Sequence, residues 1–146
     1  MPNSNKLEAE RSKRSKYALA PKDEPTLRQN DMMEALVAAC AMVAYADGNA
    51  DAAERNRLLG LMRRIPLLEG FSRDDLAEEF LRQEQAFAVD PEDARDRALA
   101  AIAAARPNAH EARAVLRSCE EIIRADGIAH PLEHAAVRSI IHALAP

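Results

Sequence analysis

Four carboxylates recur at one spacing along the chain, Asp47 with Glu54 and Asp126 with Glu133. In each pair the Glu lies seven positions after the Asp, and each Asp sits in an Ala-Asp-Gly triplet, Ala46-Asp47-Gly48 and Ala125-Asp126-Gly127. Carboxylate oxygens are hard ligands, so four of them brought together would suit Ca²⁺, Mg²⁺ or Mn²⁺. A purely local reading exists as well. Asp accepts backbone N–H groups in turns, and Glu in a first turn caps a helix and suits its dipole. Both readings stay open at this point. An EF-hand is excluded, because that loop needs Gly at its sixth position and Glu at its twelfth, whereas here Gly follows the Asp directly.

Other groups invite chemistry and carry less of it. His130-Pro131-Leu132-Glu133-His134 matches the H-x-x-E-H pattern of a zinc-protease helix. That chemistry needs both His on one face of a continuous helix, and Pro131 places His130 at or before a helix start. Adventitious Zn²⁺ or Ni²⁺ binding by His130, Glu133 and His134 is the milder alternative. Cys40 and Cys119 hold equivalent places before the two triplets. They read as small buried core residues, with thiol chemistry or a disulfide as the sharper alternative. No nucleophilic triad, phosphate-cradling Gly loop or Cys-x-x-Cys is present, and two of the four Gly belong to the triplets. An enzyme, whether an oxyanion reductase or a hydrolase, is not expected.

The elements that position these residues are themselves repeated. At the same offset of 79 residues, Ala35 falls on Ala114, Cys40 on Cys119, Val43 on Ile122, Leu58 on Val137 and Leu61 on Ile140. The register holds without a gap from residues 35–62 to 114–141, which reads as an internal duplication of a helix–turn–helix unit. The apolar run Ala35–Ala46 stops at Asp47-Gly48, where Gly supplies a left-handed stop. Asp51 with Glu54 resembles a capping box opening the next helix, and Pro131 suits a first helical position. Asp47 and Asp126 stand where a helix dipole disfavours a carboxylate by roughly 0.3–1 kcal/mol.

The periodicity predicts helices over about 27–46, 52–64, 71–87, 92–106, 109–125 and 131–144, with a short turn at 66–69 unresolved between loop and helix. Expected core positions are Leu76, Phe80, Leu81 and Phe87, then Leu99, Ile102 and Ala103, then Val115, Leu116, Ile122 and Ile123, and finally Val137, Ile140 and Ile141. No stretch alternates with strand period. The expected architecture is all-α, one helical bundle over 26–146 preceded by a flexible basic tail at 1–25.

Composition agrees. The chain has 146 residues, 3% aromatics and no Trp, as suits a helical core of small residues. No apolar run approaches the ~20 residues of a membrane span, and the N-terminus lacks the apolar region of a secretory signal. Two Cys fit a reducing cytoplasmic setting. Residues 1–20 carry five Lys/Arg against two Asp/Glu, so the formal −4 of the whole leaves −7 on the remainder. An acidic body argues against nucleic acid, while the basic tail would allow peripheral contact with an anionic membrane.

With A-D-G-x5-E present twice in an all-helical chain, the sequence resembles the TerB family of bacterial tellurite-resistance proteins over residues 30–144. The resemblance implies an all-α fold of about seven helices with pseudo-twofold symmetry. It further implies a non-enzymatic role in tellurite and chemical-stress resistance in the cytoplasm, at the inner face of the membrane. The partners implied are other proteins of that system, including a membrane protein and calcium-binding TerD-type proteins. The family's acidic metal-binding positions carry over to Asp47, Glu54, Asp126 and Glu133. One departure is Ile128-Ala129-His130-Pro131 after the second Gly, where the family pattern is richer in acids.

Overall fold

A computed structural model describes residues 26–48, 51–125 and 130–145. The expected tail at 1–25 and the second Ala-Asp-Gly turn from Asp126 onward lie outside the described residues. Within them the chain forms six α-helices and one short 3₁₀ turn, and no strand. The helices are α1 (Leu27–Ala44), α2 (Ala52–Met62), α3 (Arg73–Val89), α4 (Pro91–Ala104), α5 (Ala109–Ala125) and α6 (Pro131–Leu144), with the 3₁₀ turn at Pro66–Leu68.

Helix α1 is the axis of the bundle. From Met32 to Val43 every residue except Glu34 is buried, so it is apolar all round rather than on one stripe. A helix of that kind belongs inside a domain. It packs against α3, α4, α5 and α6, and its Ala35, Ala38, Ala39 and Ala41 let those neighbours approach closely. Thr26 opens it with a full capping box: the Thr26 hydroxyl accepts from Gln29 N–H at 3.1 Å and Gln29 Oε1 from Thr26 N–H at 2.7 Å. Such caps contribute about 1 kcal/mol each.

The same device starts other helices. Ser72 and Asp75 form a box at α3, and Asn108 and Glu111 exchange the equivalent bonds at α5. At α2 only half the box forms, with Asp51 Oδ1 accepting from Glu54 N–H at 2.8 Å. Pro91 and Pro131 occupy first turns of α4 and α6, where the missing N–H is not needed.

Several boundaries fall short of the periodicity. Helix α1 ends at Ala44, not at 46, because Ala46 N–H donates to Val43 O and the backbone tightens into a turn closed by Gly48 N–H on Tyr45 O. Gly48 there has φ +98°, a conformation that strains any other L-residue. Helix α2 stops at Met62 and α4 at Ala104, each two residues early. After α4 the chain turns at Arg106 with φ +47° and no glycine. The Arg28 guanidinium holds that corner, donating to Ala105 O at 3.0 Å and Arg106 O at 3.3 Å while pairing with Glu111.

The core differs from the sequence expectation at its edges. Leu76, Phe80 and Phe87 are buried but Leu81 is 47% exposed; Ile140 is buried but Ile141 is 49% exposed. Each misplaced residue sits one position, or about 100° of helix, past a buried neighbour. Ala98 rather than Ala103 faces inward on α4, and Leu99, Leu116, Ile123 and Val137 are only partly covered.

Candidate functional site

The first Ala-Asp-Gly turn is held by side chains from two other helices. Tyr45, directly before the triplet, stacks on Phe87 with ring centroids 5.6 Å apart and leans on Phe80 at 6.1 Å. Its hydroxyl donates to Glu84 Oε2 at 2.5 Å. Arg55 of α2 closes the same carboxylate from the other side, Nε to Oε2 at 2.6 Å and Nη2 to Oε1 at 2.8 Å. The fork on a carboxylate is the stronger geometry for such a pair. Burial, then the Glu84 carboxylate, pushes the Tyr45 phenol above its ordinary range, so it stays a hydrogen-bond donor. This network ties the end of α1 to α2 and α3.

The four candidate carboxylates fare differently. Asp47 is exposed in the turn after α1, and Glu54 is half-buried in the first turn of α2. Glu133 is 6% exposed, and its Oε1 accepts from His130 N–H at 3.1 Å, so it works as a cap. Asp126 lies outside the described residues. Among the described residues no three His, Cys, Asp or Glu groups come together as a ligand set, so Asp47, Glu54 and Glu133 do not by themselves form a shell.

Two crevices lie where the turns meet the rest of the bundle. One, of about 20 Å³, is lined by Ala44 of α1, Glu54, Arg57 and Leu58 of α2, and Ile122 and Ala125 of α5. That is about the space of a single water or ion. It places Glu54 beside Ala125, the residue immediately before Asp126. The other is a cleft of about 230 Å³ between α4 and α6, floored by the end of α1 and by Phe87. It contains Met42, Tyr45 and Ala46 on one side and Leu132, Ala135 and Ala136 on the other.

The zinc-protease pattern does not assemble. His130 is the N-cap of α6, with Nδ1 accepting from Leu132 N–H at 3.1 Å, and Glu133 is occupied by the His130 backbone. Both Cys are fully buried free thiols, as a core role requires. Burial raises both thiols: Cys40 well above the ordinary value, helped by neighbouring Cys119, and Cys119 to about 12, helped by Glu120. A thiol kept protonated is a poor nucleophile.

A family model described as "Tellurite resistance protein TerB" matches residues 33–145, well over half the chain. The chain belongs to the TerB family. No curated protein and no solved structure matches it. The TerB assignment agrees with the all-helical fold, and no helix among the described residues is long and apolar enough to cross a membrane.

Two features of this TerB-family chain escape sequence reading. The Tyr45–Glu84–Arg55 network joins residues 29 and 39 positions apart, and no periodicity marks such a triad. The cleft is assembled from four helices; its one early sign is Leu132, an apolar residue in the first turn of α6 that is left 50% exposed.

Proposed function

We propose that this TerB-family protein is a non-enzymatic component of tellurite and chemical-stress resistance. It works in the cytoplasm through contacts with other proteins of that system, a membrane protein among them, and carries a hard divalent cation at its two A-D-G-x5-E turns. The ligands in this reading are Asp47, Glu54, Asp126 and Glu133, paired across the two copies: Glu54 with Asp126, and Glu133 with Asp47. The two helix–turn–helix units are then related by a pseudo-twofold axis.

The observation that carries the reading is the ion-sized crevice in which Glu54 of the first unit lies against Ala125, at the end of the second unit's first helix. The opposite cleft supports the symmetry, because it sets Ala46, the counterpart of Ala125, against Ala136, the counterpart of Arg57. The non-enzymatic part is supported by the two buried, protonated thiols and by the capping roles of His130 and Glu133.

Arg57 shares the small crevice with Glu54, and with only two carboxylates per turn the affinity is expected at the weak end for oxygen-ligand sites, about 10⁻⁴–10⁻³ M. Calorimetric titration of Ca²⁺, Mg²⁺ and Mn²⁺ should show this binding in wild type and lose it in Asp47→Asn/Asp126→Asn, with helicity by circular dichroism unchanged. Equal binding in the double variant, or none in wild type, removes the cation from the account and leaves the turns as helix stops.

A further inference from the structure

We infer that the cleft between α4 and α6 is a docking site for a partner polypeptide that presents one large apolar side chain next to a single carboxylate. This rests on the reading above that the protein acts through protein contacts, and it names the surface and the chemistry of the contact.

The cleft's floor is apolar and aromatic. Met42 and the stacked Tyr45–Phe87 pair lie at its base, with Leu132 on the wall. At about 230 Å³ it is smaller than the roughly 300 Å³ at which sites for whole small molecules begin, and it suits a side chain entering from outside. Leu132 on its wall is left 50% exposed, so the cleft presents apolar surface to solvent.

Charge settles the chemistry of the occupant. Arg95 is the one charged residue among those lining the cleft. It is exposed, and no carboxylate among the described residues pairs with it. On the same helix the neighbouring Arg97 takes Asp93 at 2.9 Å. A free guanidinium at the edge of an apolar site is a carboxylate receptor; Ser139, across the cleft on α6, donates its hydroxyl proton to Ala135 O at 3.2 Å and leaves that role to Arg95. The body of the chain, at −7 outside residues 1–20, repels a run of acids, so one carboxylate beside the apolar side chain fits better than several.

The test is an NMR titration of the ¹⁵N-labelled full chain with the peptide acetyl-Gly-Phe-Glu-Gly-amide. Shift changes are expected at Ala46, Phe87, Ala135 and Ser139. Arg95→Glu, at an exposed position that should fold normally, is expected to weaken binding about fivefold to tenfold. The charge-swapped peptide acetyl-Gly-Phe-Lys-Gly-amide should then recover most of the affinity on that variant. Ala135→Trp, which fills the cleft, should abolish the shifts.

Three results would each overturn the inference: no shifts in wild type, equal affinity of both peptides for wild type, or shifts that survive Ala135→Trp in a folded variant. Decanoate binding where the peptide does not would reassign the cleft to a free amphiphile. Shifts at the same amides that depend on protein concentration and resist the peptide would reassign it to a second copy of the chain. Failure of the peptide leaves the cation titration untouched, so the two readings fail separately.

Discussion

Phe80→Ala is expected to lower the unfolding free energy by about 3–5 kcal/mol, the cost of emptying an aromatic core site. Phe80 is fully buried on α3, in the stretch of core where α3 meets α1, and it supports the Tyr45 ring 6.1 Å away. Its removal therefore opens a void in the core and loosens the residue that anchors the first Ala-Asp-Gly turn. Domains of this size are stable by about 5–15 kcal/mol in total, so the variant should sit near the edge of folding. Its thermal midpoint should drop on the order of 15 °C. Urea unfolding followed by circular dichroism measures the change. Leu81→Ala is the control: Leu81 is the next residue but 47% exposed, and its loss should stay below about 1.5 kcal/mol. If the two variants cost the same, α3 does not pack as described.

Alkaline pH should destabilise the protein steeply, through the two thiols. In the unfolded chain a thiol ionises near pH 9, whereas Cys119 in the fold is raised to about 12 and Cys40 is raised as well. A folded-state value above the unfolded one means full stability below pH 9. Stability is then lost as pH rises, because the unfolded chain gives up protons that the fold retains. Between its unfolded and folded values a retained thiol proton costs about 1.4 kcal/mol per pH unit. For Cys119 this amounts to about 4 kcal/mol between pH 9 and 12. Tyr45, whose phenol is also raised by burial and by Glu84, extends the loss above pH 10 with the same sign. Cys40→Ala/Cys119→Ala should be less stable at neutral pH and yet show a flatter alkaline limb. An unchanged slope in that variant would mean that the thiols are not the buried, protonated groups described. In the wild type at neutral pH, both should react slowly with a maleimide.

Much of the fold is legible in the residues themselves. Thr26, Ser72, Asp90 and Asn108 signal helix starts through chemistry confined to four positions of chain, and Gly48 and Pro66 end helices by local sterics. Such signals do not depend on the rest of the molecule. The edges of the core do depend on it. Whether Ile140 or Ile141 points inward on α6 is decided by where α4 and α1 lie, and the two adjacent isoleucines offer no clue. Helix α1 shows the same limit from the other side, since an apolar run reveals burial without revealing neighbours.

The candidate site is legible to a smaller degree. The repeat of Asp47 and Glu54 in Asp126 and Glu133 is visible at once, but their roles follow from packing. One oxygen of Glu133 accepts from the His130 N–H, while Glu54 faces the end of α5. The Tyr45–Glu84–Arg55 network and the cleft beside Arg95 require helices brought together from distant parts of the chain, and residue spacing carries no record of them.

The claim at the centre of the account is that the turns act in crossed pairs, Glu54 with the end of α5. Line broadening by Mn²⁺ in the ¹⁵N-labelled protein tests it most directly. At low Mn²⁺ the amides of Glu54, Arg57 and Ala125 at one turn, and of Asp47 and Glu133 at the other, are expected to broaden before the rest, and excess Mg²⁺ to reverse this. Equal broadening at every exposed carboxylate, with the acidic start of α3 at Asp74 and Asp75 affected as strongly as Glu54, would contradict it.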